Sequence, residues 1–262
     1  MELDLRDRVV VVTGAARGIG AVIAGRFAAE GARVVALDLA FPEPAAGAEL
    51  SEVGADAAHV ENLTVDVTSP ESVQAAVGTI VERHGTIDVL VNNAGINVDG
   101  PVADLGWDRW RACFDVNVGG VFLMSQAVAE VMKTARRGRI INAASFAAIV
   151  PSVGSAAYAA SKAAVVQLTR VLASELGPYD VTVNAYAPGM VPTAMNGFAE
   201  MPPEAQDRLL DTLSLRRWES ADDVADLLIF LASDQAGYIT GTLVDVSGGK
   251  LATQIPARAY GR

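Results

Sequence analysis

The chain has 262 residues, 51% of them hydrophobic and 19% charged, which is enough apolar material to bury a large core. Its formal net charge of −11 argues against nucleic acid and anionic membrane surfaces as partners, since both need basic patches. Cys113 is the one cysteine, so no intrachain disulfide can form, and neither His59 nor His84 lies at ligand spacing from it, so no metal site is expected.

The opening M-E-L-D-L-R-D-R is charged from its second residue and lacks the apolar region of a signal peptide. No uninterrupted apolar run approaches the roughly 18–20 residues of a membrane span, and a cytoplasmic protein is expected. Short β-branched runs at 8–12, 33–37, 62–67, 89–92, 139–143, 181–185 and 243–246 read as strands. Helical patterns separate them: one ending near Ala29, then 70–83, 107–133, 155–176 and 221–232. Ser69 followed by Pro70 suits an N-cap with proline in the first turn. Cys113 falls inside an apolar helical pattern and reads as a small core residue. Strand–helix alternation from end to end implies one α/β domain over 1–262, a doubly wound parallel sheet with helices on both faces. The stretch F-P-E-P-A-A-G-A (41–48) reads as a loop. The least regular region, about 189–218, reads as a substrate-loop insertion before the last helix and strand.

The first strand ends in T-G-A-A-R-G-I-G (13–20) and runs into a helix. Gly14, Gly18 and Gly20 permit a tight turn and close approach of a pyrophosphate to the helix N-terminus, although the spacing is G-x-x-x-G-x-G rather than G-x-G-x-x-G. The second strand ends at Asp38, 20 residues after Gly18. In that position a carboxylate can accept hydrogen bonds from the adenosine ribose hydroxyls. It would repel a 2′-phosphate about 4 Å away by up to roughly 4 kcal/mol per charge pair. Arg17 could offset part of this, and NAD is expected over NADP. Further on, Y-A-A-S-K (158–162) sets a phenol and an ammonium on one helix face. A nearby cation lowers a phenol's pKa and would make Tyr158 a proton donor or acceptor. Alone, so short a pattern fits a surface helix better.

Taken together, T-G-A-A-R-G-I-G (13–20), V-D-V (65–67), N-N-A-G (92–95), Asn117, Ser145, Y-A-A-S-K, P-G-M-V-P-T (188–193) and V-D-V-S-G-G (244–249) make the chain resemble, over essentially its whole length, the short-chain dehydrogenase/reductase family. The resemblance implies a single-domain Rossmann-like fold and a nicotinamide dinucleotide. It implies cofactor contacts from Gly14, Arg17, Gly18, Ile19, Gly20, Asp38, Leu39, Asp66, Val67, Asn93, Ala94, Gly95, Tyr158, Lys162, Pro188, Gly189, Val191 and Thr193. Asp66 would bond the adenine amino group, Asn92 would brace the sheet, and Val191 and Thr193 would hold the carboxamide. The catalytic set it implies is Asn117, Ser145, Tyr158 and Lys162. Tyr158 would be the general acid–base, its pKa lowered by Lys162. Ser145 would bind the substrate oxygen, and Asn117 would perturb its helix and hold a water linking Lys162 to solvent.

The activity so implied is NAD(H)-dependent interconversion of a secondary alcohol and its ketone. The alternatives are an NADPH-dependent 3-oxoacyl-thioester reductase, or a non-catalytic dinucleotide-sensing or structural protein. The segment L-R-R-W-E-S (215–220) departs from the Gly- and Pro-containing segment common in the family. Substrate contacts are expected from Ser145, Tyr158, Asn97, Phe146 and Met195. The mostly apolar walls at 96–98, 146–150 and 190–201 favour a neutral alcohol over an anionic hydroxy acid. A homotetramer is expected through the helices at 107–133 and 155–176, with Arg258, Tyr260 or Arg262 reaching a neighbour.

Overall fold

In this computed structural model, residues 3–42, 60–193, 196–250 and 252–261 are described. Met195, Arg262, His59 and most of the 41–48 stretch lie outside them.

The strands are β1 (Val9–Thr13), β2 (Arg33–Asp38), β3 (Val60–Thr64), β4 (Val89–Asn92), β5 (Gly138–Ala143), β6 (Val181–Pro188) and β7 (Leu243–Val246). They form one seven-stranded sheet of order β3-β2-β1-β4-β5-β6-β7, parallel at every pairing. The central strands are buried along their length, as expected for β-branched runs covered on both faces. One core layer joins Val10, Val12, Phe27, Val91, Leu228 and Ile229, under α1 (Gly18–Ala29) and α7 (Ala221–Ala232). The other joins Val11, Leu37, Ile80, Met124, Met132 and Ile140, under α2 (Pro70–His84) and α4 (Gly120–Ala135). The chain winds outward from β1 to β3 and returns to β4 on the other side of β1. That reversal opens a crevice at the carboxyl ends of β1 and β4, where open α/β sheets bind ligands.

The local signals act as their chemistry predicts. Ser69 accepts a hydrogen bond from the Ser72 N–H, with proline following in the first turn of α2. Ser220 and Asp223 form a reciprocal capping box on α7. Cys113 is fully buried.

Three elements differ from the sequence expectation. β3 occupies 60–64 rather than 62–67, because the chain leaves the sheet after Val65 donates to the Asp38 carbonyl and then turns on Asp66, whose Oδ1 accepts from the Thr68 N–H at 2.8 Å. The helix expected at 107–133 is α3 (Trp107–Phe114) and α4, joined by a π-helical turn at Asp115–Gly119. The 189–218 region contains a short helix, α6 (Pro203–Leu210), whose first turn holds Pro203. The run Trp107–Ala135 is long and apolar enough to cross a membrane by length and composition alone, yet Met124, Val128 and Met132 bury its inner face against the sheet, as in a core helix.

Candidate active site

The glycine turn is shaped by contacts that no side chain could share. Gly14 has φ +65°, and a Cβ there would lie 2.8 Å from the Ala94 Cα. A Cβ at Gly20 would lie 2.1 Å from the Gly14 carbonyl oxygen and 2.5 Å from Asn93 Nδ2. Asn93 Nδ2 donates to the Thr13 and Gly14 carbonyls at 3.0 and 3.1 Å, and its Oδ1 accepts from the Tyr186 hydroxyl. Thr13 Oγ1 accepts from the N–H groups of both Asn93 and Ala94 at 3.0 Å. β1 and β4 are thus locked together where the crevice opens. Arg17, at the N-cap of α1, is extended and makes no capping bond, so its side chain leaves the first N–H groups of the helix open to an anion.

At the end of β2, Asp38 accepts from the Ala16 N–H at 2.9 Å and from the Leu39 N–H at 2.8 Å. Its carboxylate is pinned against the glycine turn, with Arg17 and Leu39 exposed beside it. The turn geometry fits a pyrophosphate, and the carboxylate fits a ribose diol.

The second half of the site surrounds Gly95. A Cβ on Gly95 would stand 3.2 Å from Asn117 Oδ1 and 3.4 Å from Lys162 Nζ, so a side chain there would crowd Asn117 and touch Lys162. Asn117 Oδ1 accepts from the Ile96 N–H at 2.8 Å, while its Nδ2 donates to the Ile96 carbonyl and to Ser161 Oγ, each at 3.0 Å. This clamp lies in the π-helical turn, a distortion frequent at functional sites. α5 (Ala156–Leu176) carries Tyr158 and Lys162. Lys162 is buried, and its Nζ donates to the Ala143 carbonyl at 2.8 Å. Burial lowers its pKa to about 8.

The expectation that Lys162 lowers the Tyr158 pKa is corrected here. Burial pushes the phenol above its ordinary value and a hydrogen bond with Ser145 pulls it back, with Cys113 and Asp99 adding smaller upward contributions. The ammonium lies 5.7 Å from the phenol's ring centroid and is held by a carbonyl instead. Ser145 is buried, and its Oγ accepts from the Ala147 N–H at 3.2 Å. Cys113, nearby, is held as a thiol by burial.

The third wall is the turn after β6. Gly189 packs against Ser247, where a Cβ would meet the Ser247 Cα at 2.8 Å. Asn196 ties the following loop, donating to the Val191 carbonyl at 2.7 Å and accepting from the Thr193 N–H at 3.2 Å. Elsewhere, Asp66 is occupied locally by the Thr68 N–H and hydroxyl through one oxygen, and Val67 is buried beside Gly120. Asn92 spans to Asn142 and Ser125, which braces β4 against β5. Asn97 is exposed and donates to Asp99, while Phe146 follows Ser145 at the rim.

Two residues of this wall went unnoticed in the sequence. Glu219, 7% exposed, accepts from the Gly189 N–H at 2.5 Å through Oε2, while its Oε1 has no hydrogen-bond partner among the described residues. Burial raises its pKa to about 8. A cavity of about 130 Å³ borders it, between Met190, Leu213, Val246 and Ser247. Its position in the departing L-R-R-W-E-S segment was the available signal. Lys250 is the other, with its Nζ 5.6 Å from the Phe146 ring centroid. The C-terminal tail folds onto its own chain, where the Tyr260 hydroxyl donates to the Ser214 carbonyl at 2.8 Å.

A family model described as enoyl-(acyl carrier protein) reductase matches residues 14–250. The chain belongs to the short-chain dehydrogenase/reductase family. Members of this family bind a nicotinamide dinucleotide, and the chain is an oxidoreductase acting on CH–OH groups. It is 41% identical to a trans-4-hydroxycyclohexanecarboxylate dehydrogenase of Sinomonas cyclohexanicum, over 94% of this chain and 93% of that protein. It is 36% identical to a 3-oxoacyl-[acyl-carrier-protein] reductase of Thermotoga maritima, over 94% and 99%. Its fold superposes on a putative short-chain alcohol dehydrogenase from Sinorhizobium meliloti with TM-score 0.86 and 33% identity, covering 97% of this chain and all of that one.

Proposed function

We propose that the protein is an NAD(H)-dependent dehydrogenase that interconverts a secondary alcohol and its ketone, with Tyr158 as the general acid–base. The observation that carries the reading is the corner in which Asn117 and Lys162 meet at Gly95 while Ser145 hydrogen-bonds Tyr158, one helical turn from Lys162. The bound dinucleotide supplies the hydride acceptor or donor. In oxidation Tyr158 takes the proton of the carbinol oxygen, and in reduction it returns it. Ser145 donates a hydrogen bond to the same oxygen as charge develops there. Lys162, its ammonium anchored on the Ala143 carbonyl, would hold the nicotinamide ribose, and Asn117 holds the Ile96 backbone beside Gly95. The pinned carboxylate of Asp38 supports NAD over NADP, because a 2′-phosphate would meet a charge already fixed in place by two N–H groups.

A second reading, an NADPH-dependent 3-oxoacyl-thioester reductase, is favoured by the exposed Arg17 beside Asp38 and by the likeness to the Thermotoga maritima reductase. On either reading the protein is a cytoplasmic homotetramer without nucleic-acid partners. A panel of secondary alcohols, including hydroxycyclohexanecarboxylates because of the Sinomonas relative, is offered with NAD and with NADP. Formation of NADH in preference to NADPH supports the dehydrogenase. Selective NADPH-driven reduction of 3-oxoacyl thioesters supports the second reading, and turnover with neither refutes both.

A further inference from the structure

We propose that the substrate carries a carboxylate on the same small molecule as its carbinol, and that Lys250 binds it. The proposal rests on the reading of the Ser145–Tyr158 corner as the reacting centre. At the carboxyl end of β7 the chain turns through Gly248 and Gly249, both at positive φ (+67° and +80°), where side chains are disfavoured. The turn is fixed from three sides. The Leu215 N–H donates to the Gly248 carbonyl at 3.0 Å, Ser214 Oγ to the Gly249 carbonyl at 3.1 Å, and the Lys250 N–H to Ser247 Oγ at 3.2 Å. The side chain that emerges lies over the ring of Phe146, the residue after Ser145, and donates to Thr212 Oγ1. Its side chain therefore starts from a fixed turn, and Thr212 holds its ammonium beside Phe146, the residue that follows Ser145.

Among the described residues no carboxylate lies within ion-pair distance of Lys250, whereas Arg216 is committed to Asp207 and Asp211, and Arg217 to Asp223. The group is half-buried, and burial lowers its pKa. A partly dehydrated cation with donor capacity left after one hydroxyl gains from a ligand that brings a negative charge. Asp99, whose charge is felt at Tyr158, opposes this, but it is exposed and already accepts from Asn97, so solvent screens it. The buried Lys162 adds to the positive field. The apolar walls at 96–98, 146–150 and 190–201, which favour a neutral substrate, do not contain this cation. A phosphate on an acyl-carrier arm is the competing source of anion, but it sits many bonds from the reacting carbon, whereas Lys250 lies against the neighbour of Ser145.

The test compares a hydroxycyclohexanecarboxylate with its methyl ester, and a 3-hydroxyacyl phosphopantetheine thioester, in the wild type, Lys250→Gln and Lys250→Arg, with folding checked by circular dichroism. The wild type should prefer the acid over the ester by about tenfold or more in kcat/KM. Lys250→Gln should erase that preference through KM while leaving the ester within about twofold, and Lys250→Arg should restore much of it. Equal losses on acid and ester, a wild type that oxidises only neutral alcohols, or a Lys250→Gln effect confined to the thioester would each overturn the proposal while leaving the dehydrogenase reading intact. Absence of turnover of any alcohol with NAD or NADP would remove that reading, and the proposal with it.

Discussion

Lys162 is a charge kept where burial disfavours it. Its folded pKa of about 8 lies below the ordinary 10.5, so the native state binds its proton more weakly than the unfolded chain. The stability tied to this group is therefore complete above about 10.5 and reduced as pH falls through about 8. Replacing it by methionine, which removes the ammonium but fills the space, should raise Tm at neutral pH by a few degrees. The same variant should lose turnover and bind NADH more weakly, and calorimetry beside an NADH titration checks both; an unchanged or lower Tm would show that the Ala143 hydrogen bond outweighs the burial. Asp38 is the opposite case, a carboxylate whose two N–H donors hold it where a ribose would lie. Asp38→Ala should narrow the NAD over NADP preference by about tenfold or more, read as a ratio of kcat/KM values. Full discrimination in that variant would assign the choice to another residue.

At the scale of elements, the turn after β6 is held by Glu219, which immediately precedes the Ser220 cap of α7. The folded pKa of this carboxyl, about 8, lies above its ordinary 4.5. The native state holds that proton more tightly, so its contribution is complete below about 4.5 and is lost as pH rises through about 8. Arg217, Asp223 and Asp245 surround it, the two carboxylates raising its pKa and the guanidinium opposing them. Glu219→Gln keeps an acceptor for the Gly189 N–H and should flatten the fall in urea midpoint between about pH 5 and pH 9. A variant whose profile parallels the wild type would relocate that pH dependence. The turn between β1 and α1 is less forgiving: Gly20→Ala places a Cβ onto the Gly14 carbonyl oxygen, and it should lower Tm by several degrees and abolish dinucleotide binding.

Much of this level was legible in the sequence, because β-branched runs and the glycine turn are local signals. The end of β3 was not, since the valines of V-D-V continue the β-branched pattern and the Asx turn at Asp66 that ends the pairing is a matter of local hydrogen bonding. α6 was not, being eight residues long with proline at its start. The site residues of α5 were found through their motif, but the sign of the Tyr158 shift depends on how tightly the corner encloses the phenol, which spacing does not encode. Glu219 and Lys250 belong to no motif, and their importance comes from what packs around them.

For the molecule as a whole, one sheet brings the ends of β1, β2, β4, β5, β6 and β7 to a common edge, and the glycine turn, Asp38, Gly95, Ser145, Gly189 and Lys250 lie there or directly after it. The outer strand β7 is only half covered, and Phe122 of α4 and Val171 of α5 are exposed, which leaves these faces open to the homotetramer proposed above. Light scattering at micromolar concentration should give four times the mass of 27.2 kDa, and a stable monomer would contradict it. In the proposed reaction Tyr158 is the group that moves the proton. The deciding measurement is kcat for Tyr158→Phe on the best alcohol of the panel, beside the NADH dissociation constant of the same protein. The account predicts a loss of about a thousandfold or more in kcat with NADH affinity within about threefold of wild type; a variant keeping more than a few per cent of wild-type turnover would contradict it.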